Sequence, residues 1–117
     1  PSAWNERFRK LFGIEVPNHR LGCLQDVHWY DGAWGYFPTY TLGAMTAAQL
    51  YRSARIAVPE ISDAIGKGDF APLLGWLRSN VHAFGSMRSA SDLLIAATGK
   101  PLDSEAFKSH LKARYLP

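Results

Sequence analysis

The sequence predicts an all-α fold of about five to six helices, on three observations. Apolar residues recur at three- and four-residue intervals along several stretches. Glycine or proline closes those stretches where helices end, and no segment sustains the alternation of a half-buried strand. Hydrophobic residues make up 47% of the 117 positions and charged residues 20%, a balance that supports packed helices and argues against wholesale disorder. The chain is read as one segment, residues 1–117, either a compact domain or a piece of a larger fold.

Each element has its own signal. From Ala3 to Phe12, Trp4, Phe8, Leu11 and Phe12 form one apolar stripe, and Gly13 stops the run. Residues 14–21 contain Pro17 and Asn18 and read as a connector. In the stretch 22–35, Leu24, Val27 and Trp29 suggest one or two helical turns before a bend at Asp31-Gly32 and Gly35. A long helix is predicted from near Pro38 to about Ala57, since proline suits a first helical position. Its small residues Gly43, Ala44, Ala47 and Ala48 predict close approach by a neighbour, and Gln49, Arg52 and Arg55 mark it as a helix of a soluble protein. Pro59 to Ile65 reads as a short helix ended by Gly66 and Gly68. Phe70 opens another, with Leu73, Leu74, Trp76, Leu77 and Val81 giving a broad apolar face until Gly85. Ser89 and Asp92 form a capping pair ahead of Leu93 and Leu94, and Gly99 with Pro101 ends that helix. Asp103 or Ser104 caps a last helix carrying Phe107, Leu111 and Tyr115.

Composition excludes several function classes. One cysteine, Cys23, rules out an internal disulfide framework and a Cys-based zinc finger. The apolar stretch around Phe70 to Leu77 is far short of the ~20 residues that span a bilayer. With no charged-then-apolar leader, a soluble, cytoplasmic protein without a membrane partner is expected. The net charge is +3, but the basic residues are scattered over amphipathic segments, so no nucleic-acid partner is expected. His19, His28, His82 and His110 lack metal-ligand spacing and H-E-x-x-H is absent, so no metal is expected on these residues. His82 reads as a helix-end residue, and Arg20 and Arg88 as surface side chains.

One segment carries a chemical signal: Asp26-Val27-His28-Trp29-Tyr30, followed by Gly35-Tyr36-Phe37-Pro38-Thr39-Tyr40. Two glycines and a proline enforce a sharp entry into a helix, and a histidine and several tyrosines crowd that entry. Imidazole N–H and phenol O–H groups can donate to a developing oxyanion, although aromatic clusters at turns commonly serve packing alone.

The stretch LQDVHWYDGAWGYFPTYTLGAMTAAQLY, Leu24 to Tyr51, resembles the C-terminal signature of the carboxypeptidase Taq family of metallocarboxypeptidases. AWNERFRKLFGIEVP on its N-terminal side and GDFAPLLGWLRSNVHAFGS and LLIAATGKPLDSEAFKSHLKARY on its C-terminal side extend the resemblance over essentially the whole chain. The resemblance implies an all-helical enzyme of several hundred residues, usually a homodimer, that removes residues from peptide C-termini. It also implies a divalent metal, zinc in most cases, held by an H-E-x-x-H helix and a further Glu outside this chain. The present chain then corresponds to a C-terminal portion, inactive alone, whose partners are the upstream portion of the enzyme and the substrate's C-terminus. By likeness to related helical metallopeptidases, His28 and Tyr36, with Tyr40 as the alternate for Tyr36, correspond to the donors that stabilise the tetrahedral intermediate. The alternative is a non-catalytic helical module, descended from such an enzyme, that binds a peptide or a partner helix.

Overall fold

A computed structural model describes residues 1–116, the side chain of Trp29 excepted. Among the described residues there are seven α-helical segments, one of them a single turn, three 3₁₀ turns and no strand. The all-α expectation is met. The chain divides into two units, Pro1–Pro38 and the part from Thr39 onward.

In the first unit, α1 spans Ser2–Phe12 and ends on Gly13, whose left-handed φ of 68° lets its N–H reach Arg9 O. The predicted apolar stripe is a ring ladder: Trp4 stacks on Phe8 at 4.8 Å, and Phe8 meets Phe12 at 4.7 Å. The connector holds a 3₁₀ turn, His19–Leu21, capped by the Asn18 side chain accepting from Leu21 N at 3.0 Å. Gly22 is buried there, and a side chain would not fit: a Cβ would lie 2.5 Å from Val16 Cγ1 and 3.2 Å from Trp4 Cζ3. The turns expected after it are a 3₁₀ turn, Cys23–Gln25, and one α-turn, α2, Val27–Tyr30. The apolar role read for the Trp29 side chain lies outside the described residues.

In the second unit, α3 occupies Pro38–Ala57 as predicted, counting Pro38 from the boundary. It is followed by α4, Ile61–Gly66, and α5, Ala71–Asn80. The last two helices are α6, Ala90–Thr98, and α7, Glu105–Tyr115. Ala54, Ile61, Leu94 and Ala106 form the buried apolar centre. α5 ends sooner than the apolar pattern predicted. The Asn80 amide donates to Trp76 O at 2.8 Å, and Val81 leaves helical geometry before a 3₁₀ turn at His82–Phe84. The Ser89 cap is reciprocal: its Oγ accepts from Asp92 N at 3.1 Å and donates to the Asp92 carboxylate at 2.7 Å. At α7 the two capping candidates divide position and bond. Ser104 occupies the cap position, and Asp103 Oδ1 accepts from Glu105 N at 2.8 Å.

Two readings of α3 change. Gln49, read as one of the polar residues marking a helix of a soluble protein, is buried, at 1% exposed. Its two amide hydrogens are shared among Thr98 Oγ1, Lys100 O and Pro101 O at 2.9–3.2 Å, and its Oε1 accepts from Asp103 N at 3.1 Å. A polar side chain is tolerated there because the end of α6 and the α6–α7 connection supply its partners. Gly43 makes no close approach among the described residues: a Cβ at that position meets nothing within 4 Å.

Candidate active site

The sequence places His28 on a one-turn helix, and local hydrogen bonds hold that turn. Asp26 caps α2, its Oδ1 accepting from His28 N at 3.0 Å. At the other end, Ala33 N–H returns to His28 O at 2.9 Å, the six-to-one bond of a Schellman closure. That closure needs a left-handed residue, which Gly32 supplies at φ 71°. Gly35 supplies a second at φ 72°, redirecting the chain toward Tyr36.

These turns bring the His28 and Tyr36 rings to a centroid distance of 5.5 Å, tilted by 35°. His28 is half-buried and Tyr36 is about half exposed. The imidazole Nδ1 lies 2.7 Å from Asp26 Oδ1, the oxygen that also caps the turn. A cavity of about 180 Å³ opens beside His28, lined also by Asp26, Ala33, Trp34, Gly35 and Phe37. An imidazole and a phenol at this separation can both donate to one small oxygen-centred anion.

Tyr40 belongs to the second unit, in the first turn of α3, where its side chain is exposed. His82 sits in a 3₁₀ turn and is exposed. The Arg88 guanidinium lies 3.9 Å from the Phe84 ring centroid, a cation–π contact. Sequence reading missed Asp26. The available signal was a helix-capping residue type two positions before a histidine, which puts carboxylate and ring on the same side of a turn. It also missed a groove of about 620 Å³ in the second unit, where Arg52, Arg55 and His110 stand around Ala48, Ala106 and Ala113. Only tertiary packing brings α3 and α7 together there.

Among the described residues no group of three or more His, Cys, Asp or Glu could hold a metal ion. The described residues therefore do not build a metal centre by themselves. No helix among them is long and apolar enough to cross a membrane.

Residues 1–115 match the family model of the Carboxypeptidase Taq (M32) metallopeptidases. The chain belongs to that family. It is 39% identical over 116 residues to thermostable carboxypeptidase 1 of Pyrococcus furiosus, covering 99% of this chain and 23% of the relative. Against carboxypeptidase 1 of Bacillus subtilis (strain 168) the identity is 37%, covering 98% and 23%. Among solved structures, Trypanosoma cruzi metallocarboxypeptidase 1 superposes with a TM-score of 0.93 at 42% identity, covering 100% of this chain and 25% of that one. A Pyrococcus furiosus carboxypeptidase structure does so with a TM-score of 0.93 at 39% identity, covering 99% and 23%. The chain thus spans about a quarter of the length of the relatives it matches. Membership of this metallopeptidase family implies a divalent metal in the full-length enzyme.

Proposed function

We propose that this chain is the C-terminal part of a metal-dependent carboxypeptidase that releases residues from peptide C-termini. It contributes one wall of the substrate groove and the donors that stabilise the tetrahedral intermediate. The divalent metal, zinc in this reading, is held by the upstream part of the polypeptide, and this chain alone is inactive. The full enzyme acts as a cytoplasmic homodimer.

The observation that carries the reading is the approach of the His28 and Tyr36 rings to 5.5 Å within a chain that matches the family over nearly its whole length. When the scissile carbonyl becomes tetrahedral, its oxygen gains negative charge. His28 and the Tyr36 hydroxyl donate hydrogen bonds to that oxygen. Such bonds strengthen as charge develops, so they lower the barrier more than they tighten substrate binding.

The test uses the full-length enzyme and a peptide substrate. His28→Ala and Tyr36→Phe each lower kcat by roughly 10²–10³-fold while metal content stays at the parent level. A silent Tyr36→Phe beside an impaired Tyr40→Phe moves the donor role to Tyr40. Turnover within twofold of the parent in all three variants overturns the assignment. Mixing this chain with the upstream portion restores C-terminal residue release if the chain forms part of the groove.

A further inference from the structure

We propose that Asp26 is a positioning residue that locks His28 in one tautomer and turns the ring's Nε2 toward the reacting oxygen. This rests on the reading of His28 as a transition-state donor.

A single oxygen makes both contacts. Asp26 Oδ1 accepts from His28 N at 3.0 Å and lies 2.7 Å from His28 Nδ1. The backbone bond caps α2 and so fixes where the carboxylate points. The ring bond then fixes the imidazole. An ionised carboxylate has no hydrogen to give, so Nδ1 must carry the proton. Both side chains are about two-thirds or more buried, at 26% and 31% exposed, which limits competition from water. The adjoining cavity is lined by these two residues together with Ala33, Trp34, Gly35 and Phe37, and Asp26 supplies the carboxylate of that set. The Tyr36 ring centroid lies 5.5 Å from that of the imidazole.

This revises the chemistry expected of His28. With Nδ1–H committed to Asp26, a neutral ring offers Nε2 as an acceptor. It can donate to an oxyanion through Nε2 only as the imidazolium. The contact to the oxyanion therefore runs through Nε2, with Asp26 holding Nδ1.

The ¹⁵N-labelled chain allows a test that does not depend on turnover. Long-range ¹H–¹⁵N correlation of the neutral His28 ring is expected to show Nδ1 protonated and Nε2 unprotonated. Asp26→Ser retains a helix-capping hydroxyl but cannot hold the ring, and is expected to return it to the tautomer mixture of free histidine. An Nε2–H tautomer in the parent chain overturns the proposal, as does a tautomer unchanged by Asp26→Ser. In the full-length enzyme, Asp26→Ser is expected to lower kcat at least tenfold and leave KM within twofold. A tautomer released by Asp26→Ser with kcat unchanged shows that the lock serves no catalytic purpose and overturns the positioning role. Unaltered turnover in His28→Ala instead removes the donor reading beneath it, so the two failures are separable.

Discussion

From Thr39 onward the chain closes over Gln49, Ala54, Ile61, Leu94 and Ala106. In Pro1–Pro38, by contrast, Gly22 is the one buried position among the described residues, and Phe12, Ile14, Leu24, Trp34 and Phe37 are largely exposed. Yet the first unit carries the His28–Tyr36 pair. Its order comes from bonds between residues close in sequence, such as Asp26 to His28 and Ala33 to His28. The second unit is tied by bonds spanning 49 to 54 residues through Gln49. Local bonds can aim a side chain without an enclosing core, but they leave apolar surface exposed. A segment of this kind fits a chain that matches about a quarter of each relative.

The sharpest way to break this contrast is to remove the long-range tie. Gln49→Leu keeps the volume but orphans Asp103 N and Pro101 O, and is expected to cost roughly 2–4 kcal/mol. Urea unfolding measures the loss, and amide exchange should rise along α3, α6 and α7. A loss below about 0.5 kcal/mol would show that Gln49 is dispensable.

A smaller effect is expected in the first unit. Gly22→Ala forces Val16 and Trp4 aside and should destabilise that unit by about 1–3 kcal/mol. Faster amide exchange confined to residues 1–38 supports the contrast, while equal loss throughout the chain breaks it.

Acid should produce the smallest effect. The hydrogen bond from Lys100, with help from Glu105 N–H, holds the Asp103 carboxyl below its usual 3.8. Lys108 likewise lowers Glu105. Their folded-state values lie below the unfolded ones, so the stabilisation is present above the usual carboxylate value and lost as pH falls through the lowered one. Lys100→Met is expected to flatten this acid dependence in unfolding measured across pH 2–5, a window around the usual carboxylate value.

Much of the fold was legible because helix ends announce themselves. Gly13 and Gly99 take the left-handed conformation expected of them, and Ser89 caps α6. The early end of α5 was not, because Asn80 and Val81 break the helix without a glycine or proline to signal it. Of the candidate site, His28 and Tyr36 could be singled out as residue types near a turn. Their ring separation depends on the left-handed Gly32 and Gly35, which sequence marks only as a bend.

The sequence by itself determined the helices, their caps and the family, since period, capping chemistry and residue identity are local properties of the chain. Tertiary structure decided that Gln49 is buried rather than solvated and that Gly43 meets no neighbour. It also decided that one oxygen of Asp26 holds both the backbone and the ring of His28. Burial and hydrogen-bond partnership depend on what folding brings near. The same polar residue is a surface group or a tie according to whether another segment arrives to satisfy it.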